Sequence, residues 1–347
     1  MRVVIVGATG NAGTALLDEL ERTGVADEIV GLARRRAAPR DRSATRLEVA
    51  DIVRDDLVTW FRGADAVVHL AWFFQPTHRP DITWLNNVGG SERVLAAVAE
   101  AGVRALVYAS SVGAYSPAPG RVVDESWPTH SFPVAAYGRE KAYVERLLDR
   151  FECEHPEVRV VRMRPAFLFT EVAASEQRRI FAGPFVPNFV ARRVPVLPFP
   201  AGLRMQALRT EDAAVAYRLA LSSDLRGAFN LAAEPILDGP TLAEALGARL
   251  LTVPPAAVRF ALAAAWHARV APAEPALFDL VLQLPELDVT RARRELGWTP
   301  RASATEAVLA FMRGMSQGAG GPTEPLTPDG VRSRVDELRR GVGGRVG

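Results

Sequence analysis

Two side chains in the run AAYGREKAYVERLL, Tyr137 and Lys141, are spaced to move a proton together. They stand one helical turn apart, so on a helix they share a face. An ammonium beside a phenol favours the phenolate and lowers its pKa from about 10, which suits general acid–base work near neutrality. Such a phenol protonates a carbonyl oxygen as hydride arrives at carbon, or takes the proton back from an alcohol. A third group, the Ser111 hydroxyl, follows the strand-like run ALVYA and is placed to orient the reacting C–O bond. Far upstream, RVVIVGATGNAG carries Gly7, Gly10 and Gly13 in GxxGxxG spacing between an apolar strand-like run and a helix-like one. Glycines there permit a tight turn, a close approach of main chain to a pyrophosphate, and tight helix–strand packing. Thr9, Asn11 and Ala12 complete the loop, and the following helix N-terminus receives the anion.

The end of the second strand-like run should show which dinucleotide fits. An acid there would bond the ribose 2′-hydroxyl of NAD. The chain instead reads Leu32-Ala33-Arg34-Arg35-Arg36. An arginine fork suits a 2′-phosphate, so NADP(H) is the favoured cofactor, with Arg34 the first clamp and Arg35 the second; NAD(H) is the other option. Asp51 and Ile52 follow an apolar run, where the carboxylate either meets the adenine amino group or closes a local turn.

These groups need a scaffold that brings strand ends together. Strand-like runs at 3–6, 28–33, 66–71, 105–109 and 158–163 alternate with helix-like runs at 11–22, 87–101 and 137–151. Such alternation predicts an α/β fold with a doubly wound parallel sheet, the Rossmann arrangement, and a smaller, mostly C-terminal substrate domain. Residues 1–165 and 206–231 are assigned to the dinucleotide-binding domain, and 166–205 and 232–315 to the substrate domain. Gly, Pro and Arg enrich 316–347, which reads as a tail, ordered only if it docks, with a helix at 330–340.

The bulk composition narrows the function classes. The chain has 347 residues, 48% apolar and 24% charged, ordinary for a globular protein. A net charge of +2, from 42 basic and 40 acidic residues, gives no basic stripe for nucleic acid. One cysteine, Cys153, excludes a disulfide framework, and the five histidines lack metal-ligand spacing, so no metal is expected. The opening MRVVIVGATG is read as lacking a signal peptide, and no run matches the roughly 20 apolar residues of a membrane span. Cytoplasmic residence and a small-molecule substrate are therefore expected, with neither nucleic acid nor membrane as partner.

Taken in order, VGATGNAG, Asp51-Ile52, HLA at 69–71, NVGGS at 87–91, SSVGAY at 110–115, YGREK at 137–141, RP at 164–165, TEDAA at 210–214 and LDVTRARRELGWTP resemble the extended short-chain dehydrogenase/reductases, the NAD(P)-dependent epimerase/dehydratase family. The resemblance implies Ser111 as the catalytic serine, Tyr137 as the catalytic tyrosine, and Lys141 as the lysine that tunes it and binds the nicotinamide ribose. It adds Leu70, Ala71, Asn87, Ser110 and Pro165 to the cofactor-binding set. It also implies a homodimer formed through the helices at 87–101 and 137–151. Two departures bear on substrate. Val112-Gly113-Ala114 replaces the Thr-Asp-Glu set of sugar dehydratases, and Arg204 stands out of register with the arginine that many nucleotide-sugar epimerases carry, leaving Arg178, Arg179, Arg192 and Arg193 as substitutes. Trp72, Phe73 and Phe74, with Trp84, suggest an aromatic pocket for a hydrophobic carbonyl or alcohol. The leading expectation is an NAD(P)-dependent oxidoreductase. The alternatives are an epimerase with tightly held NAD and a non-catalytic cofactor sensor.

Overall fold

The computed structural model describes residues 1–35, 43–75 and 77–344; Arg36 and the last three residues lie outside this set. Seven strands form one sheet: β1 (Arg2–Val6), β2 (Glu28–Ala33), β3 (Thr45–Val49), β4 (Ala66–His69), β5 (Ala105–Ala109), β6 (Arg159–Pro165) and β7 (Gly227–Leu231). Their spatial order is β7-β6-β5-β4-β1-β2-β3, and every neighbouring pair is parallel. The strand order reverses at β1, so a crevice opens beyond the carboxyl ends of β1 and β4, where ligands of such sheets bind.

Both sheet faces are covered at the centre of the sheet, which is why β1, β4 and β5 are almost wholly apolar and buried. Val3 and Ile5 of β1 point into one core, with Leu16, Leu17 and Leu20 of α1 (Asn11–Thr23). Val4 and Val6 point into the other, with Val94 and Val98 of α2 (Gly90–Glu100) and Val144 and Leu148 of α3 (Ala136–Glu154). Helix α4 (Thr210–Leu221) packs beside α1.

The helix expected at 87–101 is not uniform and is preceded by a further helical turn. A turn of helix at Pro80–Trp84 leads into a widened π-turn at Leu85–Gly89 before α2 begins. The widened turn contains Asn87, whose side chain bonds both the N–H and the carbonyl of Phe73 instead of facing solvent. Beyond β6 the chain builds smaller units: a three-stranded sheet (Phe167–Phe169, Met205–Arg209, Ala233–Leu237) and a two-stranded one (Val196–Pro200, Arg249–Val253). The tail docks. Helix Ala304–Gln317 starts with a Ser303–Glu306 capping box, and helix Val331–Arg340 follows a loop that returns to the sheet's carboxyl edge. Among the described residues, no helix is long and apolar enough to cross a membrane.

Candidate active site

The glycine turn is shaped by backbone crowding. Gly7 takes φ +88, and a β-carbon there would sit 2.6 Å from the Ala71 nitrogen. One on Gly13 would lie 2.3 Å from the Gly7 carbonyl oxygen, so α1 can approach β1 only without it. Gly10 is different: its nearest neighbour would be the Gly7 carbonyl oxygen at 3.7 Å, ordinary van der Waals contact, so a β-carbon there meets no clash. Helix α1 has no side-chain cap and no acid in its first turn. Its free amides and positive dipole end therefore suit a dinucleotide pyrophosphate. Leu70 continues β4 by donating its N–H to the Val6 carbonyl, and Ala71 lies against Gly7.

At the adenosine end, the Arg34 guanidinium stands 4.1 Å over the Phe73 ring. Arg35 forms an ion pair with Glu324, a residue of the tail. Both arginines on which the NADP(H) expectation rests are thus already engaged. The Asp51 carboxylate accepts from the Val53 N–H at 2.9 Å, closing a local turn, and the Ile52 carbonyl accepts from Arg93. Ile52 packs where a β-carbon on Gly90 would otherwise lie, 2.5 Å away, which ties this turn to α2.

The groups expected to transfer the proton lie at and beside the carboxyl end of β5. Ser110 is turned inward and donates to Glu145 at 2.6 Å. Ser111 caps the short turn Val112–Ala114, accepting from the Gly113 N–H at 3.0 Å, and its hydroxyl also acts on the Tyr137 phenol. Burial pushes Tyr137 up to about 12, with Ser111 pulling in the other direction. The phenol ring stacks on Phe74 at 5.0 Å and meets the edge of Trp72 at 5.8 Å.

Lys141 is 3% exposed, and its ammonium donates to the Ala109 carbonyl at 2.7 Å and lies 3.6 Å from the Trp72 ring centre. Burial lowers its pKa to about 7, opposed by Glu145 and Glu140. The Trp72 ring therefore touches both Tyr137 and Lys141. The lowering of the phenol pKa expected from Lys141 is not found: burial raises Tyr137, and the group that opposes it is Ser111. Asn87 joins the same region through Glu140, to which it donates at 2.6 Å while Thr83 donates to the other oxygen. Pro165 ends β6 opposite Leu231.

Beside Tyr137 lies a small hollow lined by Phe73, Phe74, Ile180, Phe181 and Leu277, with Glu140 and Glu274 as its carboxylates. Trp84 lies elsewhere, exposed against Tyr143. The arginines considered for a diphosphate are mostly committed. Arg178 is buried and paired with Asp329 and Glu337 at 3.3 and 3.0 Å. Arg179 donates to the Thr327 and Pro325 carbonyls, Arg204 pairs with Glu286, and Arg192 and Arg193 are exposed. Among the described residues, no group of three or more His, Cys, Asp or Glu is placed to hold a metal.

One anchor of the site was missed from the sequence. Glu145 lies one further turn along α3 and receives both Arg162 and Arg164 in the sheet core. Burial acts to raise its pKa, but Arg164 and Arg162 prevail and hold it at about 2. The spacing of 137, 141 and 145 on one helix face was the available signal. The tail residues Thr323 and Glu324 carried no such signal.

Comparison with known proteins agrees with this architecture. The model of the NAD dependent epimerase/dehydratase family matches residues 3–232. The chain is 31% identical over 158 residues to a UDP-glucose 4-epimerase of Streptomyces lividans, covering 42% of this chain and 46% of that one. It is 30% identical over 184 residues to an NAD-dependent glucose-6-phosphate dehydrogenase of Haloferax volcanii, covering 47% of this chain and 66% of that one. The chain thus spans about half to two-thirds of the length of these relatives. Among solved structures, a UDP-glucose-4-epimerase from Stenotrophomonas maltophila, with bound NAD and formylated UDP-arabinopyranose, superposes with a TM-score of 0.68 at 20% identity, over 92% of this chain and 100% of that one.

Proposed function

Because the chain belongs to the NAD-dependent epimerase/dehydratase family, we propose that it is an NAD(P)-dependent oxidoreductase that interconverts a carbonyl and an alcohol on a largely apolar substrate. The observation that carries this reading is the juxtaposition of Tyr137, with Ser111 acting on its phenol, and an aromatic-lined cavity. The glycine turn and uncapped α1 fit a dinucleotide beside it. A bound nicotinamide would supply or accept the hydride at the carbinol carbon. Tyr137, protonated near neutral pH, gives its proton to the carbonyl oxygen, while Ser111 orients that oxygen. Lys141, with a pKa near neutrality, is placed to hold or resupply a proton at the floor of the site. Burial and the aromatic ring contacts exclude water from the exchange.

On cofactor choice, free Arg34 and Arg35 would favour a 2′-phosphate. With Glu324 on Arg35, that advantage is reduced, and our reading moves from NADP(H) to NAD(H). The rival reading, a nucleotide-sugar epimerase, has the Streptomyces lividans relative in its favour. Against it, Arg178 and Arg179 are held by the tail and are not free for a diphosphate. We also propose a homodimer, for which the exposed Trp84, Leu85 and Tyr143 offer an apolar contact beside α2 and α3; sedimentation velocity of the purified chain tests this. A panel of aromatic and aliphatic aldehydes, ketones and alcohols, run beside UDP-sugars and followed by nicotinamide absorbance, tests the activity. Net turnover of apolar carbonyls supports the oxidoreductase. Conversion of UDP-sugars with no net redox change would replace it with the epimerase.

A further inference from the structure

We propose that Glu324, delivered by the C-terminal tail, is the acid that sets dinucleotide selectivity, in place of an acidic residue at the end of β2. The inference rests on the dinucleotide reading above. Two contacts and one buried side chain hold the tail beside the glycine turn and the end of β2. The Thr323 hydroxyl, in a residue 6% exposed, donates to the Thr9 carbonyl within the glycine turn at 2.8 Å. Glu324 pairs with Arg35, one residue beyond Arg34 at the tip of β2. Leu326 is 1% exposed.

The loop carrying these residues is closed on itself. The Gly321 N–H donates to the Leu326 carbonyl at 2.5 Å, the Leu326 N–H to the Thr323 carbonyl at 3.0 Å, and the Asp329 N–H to the Gly318 carbonyl at 3.0 Å. Its far side is fastened to Arg178, through Asp329, and to Arg179, through the carbonyls of Pro325 and Thr327. The Ser175 hydroxyl bonds the Ala319 carbonyl as well. A loop tied at both flanks presents its carboxylate with little conformational freedom left to lose.

The chemistry follows from where that carboxylate stands. In sheets of this kind the adenosine ribose is read at the end of the second strand, by an acid for a 2′-hydroxyl or by an arginine for a 2′-phosphate. Here β2 is followed by arginines, and the acid arrives from about 290 residues away in sequence. Glu324 acts twice. It takes up one fork of the arginine pair, and it repels a phosphate dianion while leaving a carboxylate oxygen able to accept from a hydroxyl. The arginines expected to recruit NADP(H) are converted by the tail into the seat of an NAD-selecting acid.

The test is the affinity of the full chain for NAD⁺ and NADP⁺ by calorimetric titration, in wild type, Glu324→Gln, Glu324→Ala and Glu324→Gln/Arg35→Ala. Glu324 is a partly exposed side chain, so the variants should fold, which their unfolding midpoints verify. The expected result is a wild type that prefers NAD⁺, a roughly tenfold or larger shift of the affinity ratio toward NADP⁺ on loss of the carboxylate, and a return of that ratio when Arg35 is also removed. Binding of both dinucleotides with a ratio unchanged in both single variants overturns the assignment and leaves the oxidoreductase reading intact. No binding of either dinucleotide to wild type overturns that reading itself.

Discussion

Replacing Lys141 with methionine should make the protein more stable while removing its activity. The lysine is 3% exposed, and burial lowers its pKa from 10.5 to about 7. At about 1.4 kcal/mol per tenfold, keeping that ammonium folded costs on the order of 5 kcal/mol near neutral pH. Methionine is of similar length and carries no charge. The substitution loses the bond to the Ala109 carbonyl and the contact with Trp72, which together return about 1–3 kcal/mol. A net gain of about 2–4 kcal/mol is expected. The sign of the pH dependence follows from proton counting. Between about pH 7 and 10.5 the unfolded chain binds the lysine proton and the folded chain does not, so wild-type stability rises with pH through that window. The methionine variant lacks this rise. Its advantage should therefore be largest at or below about pH 7 and shrink by about 2–3 kcal/mol by about pH 9. Urea unfolding of both proteins, without added dinucleotide, at several pH values measures the gap. A variant less stable than wild type at neutral pH, or a gap that stays flat across the window, would refute the reasoning.

Two other perturbations separate packing from binding. Gly13→Ala drives a β-carbon into the Gly7 carbonyl, so both the unfolding midpoint and dinucleotide affinity should fall; Gly10→Ala, where a β-carbon meets no clash, should spare stability and lower affinity about tenfold or more. Thermal unfolding and calorimetry on the pair check this, and equal stability losses in both would contradict it. Glu145→Gln breaks a buried carboxylate that accepts from Arg162, Arg164 and Ser110 and should cost about 3–5 kcal/mol. Because its pKa is held down, its contribution is present above about pH 4.5 and lost as pH falls toward about 2, so the wild-type and variant unfolding curves should converge in acid.

Local patterns made much of the fold legible. The apolar runs 3–6 and 105–109, the glycine turn and the Tyr137 helix announce themselves through short-range rules, and the structure carries them as β1, β5, the turn before α1, and α3. Ser111 is legible as a strand-end hydroxyl for the same reason. What escaped depends on contacts between distant residues. No window of sequence shows that Thr323 meets Thr9 or that Glu324 meets Arg35, so the arginines read as free. Trp72 reads as one member of an aromatic run, but in the fold its ring touches both Tyr137 and Lys141, and the lysine donates to the Ala109 carbonyl and the Tyr108 hydroxyl. The widened turn at Asn87 escaped because its cause, the bonds from Asn87 to Phe73, is tertiary.

The proposed mechanism depends on the Tyr137 phenol as the group that moves the proton. Its most direct measurement is turnover of the best carbonyl found in the panel, with dinucleotide affinity measured alongside, in wild type and Tyr137→Phe. Loss of turnover by about a thousandfold, with affinity within a few-fold of wild type, is the predicted result. A phenylalanine variant that turns over at near wild-type rate would contradict the mechanism.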